Sequence, residues 1–168
     1  LPILTTDDRI IYSQRPDVTF GFNNTFNYKG FDLSVFLYAR LGQWIAYDYN
    51  TTYRINALEN GGNVDYWTPE NPTNAFPRPN KSKSYTQVTY YSTLKYEDGS
   101  FFKIRDITLG YTFKPELLKH LNLSRLRVYA TAKNFFTFSK IDNYDPEQGG
   151  SISFPMTKQL VFGLNVEF

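Results

Sequence analysis

The 168-residue sequence predicts an all-β protein, an antiparallel meander of about five strands that forms the C-terminal section of a transmembrane β-barrel. Three observations support this class. Apolar and polar residues alternate with a period of two along five segments, as in strands with one apolar face. Short and long connections alternate between the segments, as in barrels with short turns and long outer loops. Aromatic residues collect near the segment ends, as in the aromatic girdles of membrane barrels.

The five predicted strands share this alternation, and their ranges are 17–26, 31–41, 101–113, 124–136 and 157–168. The last is the clearest, because apolar side chains occupy every second position from Leu160 to Phe168, where the sequence stops. A final strand that closes a barrel, faces lipid and ends at an aromatic girdle has this pattern. In the third strand the apolar phase slips at Arg105–Asp106, which predicts a β-bulge.

The connections predict two short turns and two outer loops. Residues 27–30 read as a tight turn with Gly30 at a position that tolerates positive φ. Residues 114–122 read as a short connection with one helical turn after Pro115. The ranges 42–100 and 137–156 are the predicted outer loops, and the first, with several Pro and Asn, is expected to be irregular.

The composition excludes several classes of protein. Cys is absent and His120 is the only histidine, so no disulfide, thiolate–metal or histidine-based catalytic site is expected. No nucleophile elbow or phosphate-binding loop is present, and no cofactor is expected. A net charge of +2 gives no reason to expect nucleic acid. Five strands cannot close a barrel, and residues 1–4 do not resemble a signal peptide, so a longer parent chain is expected.

Several segments resemble SusC/RagA-type TonB-dependent transporters of Bacteroidetes, in family order over nearly the whole chain. They are DVTFGFNNTFNYKGFDLS (17–34), WTPENPTN (67–74), EDGSFFKIRDITLGY (97–111), RVYATAKNFFT (127–137) and YDPE (144–147). The resemblance implies a large barrel of about 22 strands with a plugged lumen. This chain, residues 1–168, would supply the last five strands and the last two outer loops.

The resemblance also implies a function and partners. Family members are not enzymes but outer-membrane importers of oligosaccharides or peptides. The plug and the earlier strands would come from the remainder of the transporter. TonB would act through the plug, and a SusD-like surface lipoprotein would cover the outer loops. Gly163, Val166 and Phe168 fit the family's assembly signal, whereas Val161 departs from it because a polar residue is usual there.

Two groups of residues are candidates for contact with substrate. The first group comprises aromatic residues of the long loop, namely Tyr49, Tyr53, Tyr66, Trp67, Tyr90 and Tyr91. They could stack on sugar rings or grip a peptide, or they could pack the loop against its neighbours or the lid protein. The second group comprises strand residues expected to face the lumen, namely Arg40, Arg105, Arg127, Tyr129 and Lys133. They could line the substrate path, but ion pairing with carboxylates of the plug is the favoured interpretation.

Asp142, Asp145 and Glu147 are closely spaced oxygen ligands, but a Ca²⁺ loop needs more ligands in a stricter order, so a solvated turn is expected. Two further classes of protein stay open. A soluble carbohydrate-binding β-sandwich would explain the aromatic loops and the mean hydropathy of −0.46. It would not explain aromatic residues at the strand ends. A small adhesin-like passenger is the third possibility.

Overall fold

A computed structural model describes residues 5–53, 61–82 and 91–168, without the side chains of residues 91 and 92. The strands in these ranges are β1 Val18–Tyr28, β2 Phe31–Leu41, β3 Trp44–Ala46, β4 Tyr96–Asp98, β5 Phe101–Thr112, β6 Arg125–Ser139 and β7 Gln159–Glu167. The α-helices are α1 Asp48–Thr51 and α2 Pro115–Leu118. Short 3-10 turns occupy Thr6–Asp8, Tyr91–Lys95, Lys119–Leu121 and Pro146–Gln148. No helix in the described ranges is long and apolar enough to cross a membrane.

Five strands form one antiparallel sheet in the order β1-β2-β5-β6-β7, and β3 pairs with β4 separately. This is the predicted meander, because the sheet neighbours follow one another along the chain once β3 and β4 are set aside. The predicted and observed bounds differ mainly in β6, which continues to Ser139 and therefore takes in three residues of the predicted outer loop.

The sheet has an apolar face and a polar face, set by the pairing register. Cross-strand partners share a face, and the pairs Phe22–Leu37, Leu109–Ala130 and Val128–Leu164 show the apolar one. Most of its large side chains are exposed, and Phe162, at 73%, is the most exposed of those within the strands. A contiguous exposed apolar surface of this size marks a face that is covered by something other than water.

The predicted bulge is present at Arg105. Phe36 and Leu37 are consecutive in β2, whereas their partners Asp106 and Ile104 in β5 are separated by Arg105. The pairing of β5 with β6 shifts at the same place. Because one residue is inserted, the alternation changes phase there and Arg105 and Asp106 both belong to the polar side. The ion pairs described below confirm that both side chains lie there.

The two ends of the sheet differ. At the turn end, Lys29 and Gly30 join β1 to β2 with φ of 47° and 91°, the two positive values of a type I′ turn. Pro115 begins α2, as its fixed φ favours. Here the Phe31 and Tyr111 rings lie 4.6 Å apart.

The opposite end, where the sheet meets residues 42–100 and 140–158, is the loop end. The strand-end aromatics are not all on the apolar face there, since Phe101 is 1% exposed and lies by the Tyr38 ring on the polar side.

The described parts of residues 42–100, expected to be irregular, contain the regular elements β3, α1 and β4. The β3–β4 pair is joined to the sheet by Gln43, whose Nε2 donates to the Gly99 carbonyl at 2.7 Å. Two small cores hold this loop region, one around Ile45, Tyr47 and Ile141 and the other formed by Tyr53 and Phe76. The first core includes a residue from beyond β6, so the two loop segments fold against each other.

Candidate functional site

A buried lysine organises the polar face at the loop end. Lys103 in β5 is completely buried, and its ammonium donates to Asp145 Oδ2 at 2.6 Å and Glu147 Oε2 at 2.8 Å. A lysine is fully buried only when its charge is paired. Glu147 lies in the short turn at Pro146–Gln148 and Asp145 caps its start, so the segment after β6 folds over the polar face. The predicted solvated turn is therefore wrong for Asp145 and Glu147.

Two of the predicted substrate-contact residues meet next to this lysine. Arg40 and Arg105 both lie against the Tyr38 ring, each with its guanidinium carbon 5.6 Å from the ring centre. Arg105 also pairs with Glu147 at 3.1 Å. Arg40 donates through Nε to the Tyr38 hydroxyl at 2.8 Å and has no carboxylate within ion-pair distance among the described residues. Arg40 is thus a polar-face cation with unused donors.

The other polar-face candidates lie elsewhere along the sheet. Lys133 pairs with Asp106 at 3.6 Å. Tyr129 lies opposite Gly163, and the Arg127 guanidinium is 4.9 Å from the Tyr129 ring centre. Tyr129 is also opposite Gly110, about 20 Å from Lys103 along β5 at the usual rise of a strand. The candidates therefore form one cluster at the loop end and a separate group nearer the turn end.

Most of the candidate cations on the polar face form ion pairs with carboxylates of this same chain. Arg127 pairs with Asp32, Lys133 with Asp106, and Arg105 with Glu147. Plug carboxylates were the expected partners of these residues, and these three side chains already have a carboxylate partner within this chain. Among the named candidates in the described ranges, Arg40 alone keeps a charge that its neighbours do not neutralise.

The loop aromatics divide into packed and exposed residues. Tyr53 is buried against Phe76, so it packs the loop. Tyr66 and Trp67 are 41% and 39% exposed. Tyr66 forms a β-bridge with Phe76, and the Trp67 backbone N–H donates to the Phe76 carbonyl. Tyr90 and the side chain of Tyr91 lie outside the described residues. Tyr66 and Trp67 therefore remain available for contact with another molecule.

Acidic side chains shape the loops through hydrogen bonds. Asp65 accepts from Asn71 at 2.7 Å and Thr73 at 2.6 Å, which closes the loop that carries Trp67. Asp98 accepts from the Ser100 backbone N–H at 3.0 Å and pairs with Lys140 at 2.9 Å. Hydrogen bonds from Ser100, together with Lys140, lower the pKa of Asp98 to about 2. Asp98 is thereby held ionised and links the two loop segments.

Lys103 and Tyr38 belong to this candidate site, and the sequence analysis did not name them as candidates. The alternation already placed both on the polar face, which was the available signal. Their importance depends on Asp145 and Glu147, about 40 residues further along the chain, and no local pattern reveals that contact.

Comparison with known proteins gives consistent matches over the whole chain. A scan against models of protein families finds no match. TonB-dependent receptor P26 of Formosa agariphila is 30% identical over 187 residues, which cover 99% of this chain and 18% of that protein. TonB-dependent receptor SusC of Bacteroides thetaiotaomicron is 29% identical over 174 residues, which cover 98% and 16%.

Solved structures agree. A chain of the RagAB peptide importer in the 'closed-closed' state superposes with a TM-score of 0.76 and 27% identity over 99% of this chain and 19% of that chain. In the 'open-open' state the TM-score is 0.70 at 28% identity. This chain therefore spans about a fifth of the length of the proteins that it matches.

One exposed apolar face, one ion-paired polar face and open edges at β1 and β7 define a section of a transmembrane β-barrel wall. The five-stranded sheet matches a section of the RagAB importer chain over 99% of this chain, so the observed fold is not the soluble sandwich that the sequence left open. The chain is similar over nearly its whole length to TonB-dependent receptors, SusC among them, and it matches a section of a chain of the RagAB importer.

Proposed function

We propose that this chain is the C-terminal barrel section of an outer-membrane TonB-dependent importer of oligosaccharides or peptides. The observation that carries the proposal is the division of one sheet into an exposed apolar face and an ion-paired polar face, in a chain that matches the RagAB importer over 99% of its length. The apolar face contacts outer-membrane lipid and the polar face lines the lumen. The chain provides wall and loops, and it performs no chemistry.

Other parts of the transporter and its partner proteins complete the importer. Earlier strands pair with the free edge of β1, and the plug fills the lumen beside Arg40. TonB transmits energy through that plug, and a SusD-like lipoprotein covers the loop end. The sequence resemblance and the name of the RagAB importer support this arrangement. Within β7, Gly163 and Val166, together with Phe168 just beyond it, serve as the assembly signal.

The loop end is the substrate side. Arg40 and Arg105 present cationic groups to the lumen, and Tyr66 and Trp67 present exposed rings in the long loop. Tyr91 is assigned to the same contact surface from its sequence position. Tyr129 and Lys133 lie deeper and line the path beyond the first contact.

Deletion and complementation of the parent gene test this function. The deletion strain is expected to lose growth on one class of nutrient, either defined oligosaccharides or defined peptides, and removal of TonB should give the same loss. Complementation with Trp67→Ala or Arg40→Ala should slow uptake while leaving the amount of folded barrel unchanged. Unimpaired growth of the deletion strain on every nutrient tested would contradict the proposal.

A further inference from the structure

We propose that a groove on the apolar face, at the turn end of the sheet, binds one acyl chain of an anionic glycerophospholipid whose phosphate is held by Lys29. The groove measures about 260 Å³ and is lined by apolar-face residues that include Phe31, Leu109, Tyr111, Val128, Ala130 and Phe162. This inference rests on the proposed function, which turns the apolar face towards lipid and the turn end towards the periplasm. It adds a defined lipid site to the barrel wall.

The groove exists because a small side chain lies between two large ones. Leu109, Ala130 and Phe162 form one cross-strand row on the apolar face. Ala130 contributes a single methyl group to this row, so the surface dips between its two neighbours. The Phe31 and Tyr111 rings, 4.6 Å apart, border the dip at the turn end. Leu109 and Phe162 are both exposed, so they are free to contact a lipid chain.

The lining suits a hydrocarbon chain. Apart from the Tyr111 hydroxyl, the side chains that line the groove on the apolar face end in hydrocarbon. The volume lies below the range of about 300–1,000 Å³ that drug-sized ligands occupy, so the groove holds a segment of one chain. Because lipid tails are as apolar as leucine, the groove gains van der Waals contacts rather than a hydrophobic driving force. It therefore determines where the chain lies, and the headgroup determines which lipid is preferred.

The ammonium group of Lys29 marks the headgroup end of the groove. It lies 5.1 Å from the centre of the Tyr28 ring. Tyr28 is directly opposite Phe31 in the β1–β2 pair and therefore shares its face. The charge is thus held on the lipid side of the rim, next to a residue that lines the groove. Aromatic rings at a membrane interface lie at the level of the lipid headgroups, which is the level of the phosphate.

The charge of Lys29 is available to a ligand. No carboxylate lies within ion-pair distance of it among the described residues. Asp32 in the next strand is already paired with Arg127. Residues 27–32, 113–127 and 165–167 carry the cations Lys29, Lys114, Lys119, Arg125 and Arg127 against the carboxylates Asp32, Glu116 and Glu167. This end of the wall therefore has an excess of positive charge, which favours an anionic headgroup over a zwitterionic one.

The position of the site selects between two sources of phosphate and acyl chain. The short turns of outer-membrane barrels lie on the periplasmic side. The lipid therefore comes from the inner leaflet, where it is a glycerophospholipid. Lipid A carries the same two chemical groups but belongs to the outer leaflet, on the side of the loop end.

Photo-crosslinking to the complete transporter in detergent tests the site. The probe is phosphatidylglycerol with a diazirine in one acyl chain, and the labelled residues are mapped by peptide mass spectrometry. Labelling should concentrate on residues 109–111 and 128–130. Unlabelled phosphatidylglycerol should compete about threefold to tenfold better than phosphatidylcholine, as one ammonium group near an anionic lipid predicts. Lipid A should compete less well than phosphatidylglycerol.

Lys29→Gln tests the headgroup contact. It should reduce the advantage of phosphatidylglycerol over phosphatidylcholine to about twofold or less, whereas Lys29→Arg should preserve it. Lys81→Gln is the matched control, because it makes the same charge change at an exposed residue of the long loop, at the opposite end of the sheet. This variant should keep the wild-type preference.

Ala130→Leu tests the chain contact by filling the groove. It should reduce the labelling of residues 109–111 at least about threefold for either lipid, because the chain loses its packing surface. Ala132→Leu is the matched control, since it makes the same change two residues along the same face, opposite Leu160 and outside the groove.

Three outcomes would overturn the lipid site. Labelling could spread evenly over the apolar face, Lys29→Gln and Lys81→Gln could keep the same lipid preference, or lipid A could compete best. Any of these in a transporter that still imports its nutrient leaves the proposed function intact. Recovery of the transporter outside the outer-membrane fraction would instead contradict the proposed function.

Discussion

Arg127 in β6 reaches across β5 to Asp32 in β2 through the space left by Gly110. Its Nε lies 2.9 Å from Asp32 Oδ1 and its Nη2 lies 2.5 Å from Oδ2. This bidentate ion pair joins β6 to β2, which are not neighbours in the sheet. A Cβ atom at Gly110 would overlap both side chains. Glycine is required here for close approach, since it lets one ion pair join three strands.

Gly110→Ala should therefore weaken the wall by displacing this ion pair. We expect a loss of about 1–2 kcal/mol, because the pair is charge-assisted but only half-buried. The measurement is the temperature at which the folded barrel loses its compact electrophoretic form.

A double-mutant cycle identifies the cause. If the ion pair carries the effect, Gly110→Ala should cost little in an Asp32→Asn background, so the two losses should not add. Additive losses would show that the alanine acts on the backbone rather than on the pair.

Lys103→Met should release the segment that carries Asp145 and Glu147. Removal of one partner from a buried ion pair leaves uncompensated charge and costs about 3–5 kcal/mol. Amide hydrogen exchange of residues 141–153 should rise sharply, while exchange in β1 and β2 stays at its original level.

Arg125→Met is the control for that experiment. Arg125 pairs with Glu167 at 3.6 Å, but both side chains are more than half exposed, so its loss should cost less than 1 kcal/mol. Equal protection of residues 141–153 in wild type and Lys103→Met would remove the structural role given to Lys103.

The two faces of β7 should respond differently to the same substitution. Phe162→Arg places a charge on the apolar face and should cost about 2–4 kcal/mol if that residue lies near the bilayer midplane. Gln159→Arg adds the same side chain on the polar face and should be mild. The amount of folded barrel in outer-membrane fractions is the measurement, and equal levels for the two variants would contradict the assignment of faces.

Acid should loosen the link between the two loop segments through Asp98. Its pKa is lowered from 3.8 to about 2 in the folded chain, so the stability that it contributes is complete above pH 4 and is lost as the pH falls towards 2. We expect about 1 kcal/mol after allowing for solvent screening.

The readout is proteolysis of the loop end across that pH range with an acid-tolerant protease. Asp98→Asn should lose the pH dependence between 4 and 2 and show the loosened state throughout. Glu70→Gln changes an exposed carboxyl of the same loop that has no partner among the described residues, and it should behave as wild type. A pH profile shared by all three proteins would exclude Asp98 as the cause.

The strands were predictable because their information is local. Alternation along β7 and the phase slip at Arg105 are each contained in about ten consecutive residues, and the structure confirms both. The tight turn over residues 27–30 was predictable for the same reason, and the structure adds its type, I′ at Lys29–Gly30. In such segments the face of each side chain follows from its position alone.

The loop end was not predictable because its order is set by distant contacts. The Asp48 backbone N–H donates to the Gly150 carbonyl at 2.9 Å, about a hundred residues away. Gln43 is buried because of Gly99, and Lys103 because of Asp145. Proline and asparagine in residues 61–82 correctly indicated non-repetitive backbone, but they carry no information about which loop packs against which.

The inserted residue at Arg105 has a counterpart in the next strand. Phe36 and Leu37 are consecutive in β2, and their partners in β5, Asp106 and Ile104, have one residue between them, Arg105. The partners of Ile104 and Asp106 in β6 have two residues between them, Asn134 and Phe135. Asn134 has a φ of 59°. The backbone path therefore lengthens step by step across three adjacent strands. A strip whose one side is longer than the other cannot lie flat, and bulges bend and twist the strands that contain them. Part of the curvature of the barrel wall is thus set by the inserted residues in β5 and β6, and it does not depend on closure of the barrel.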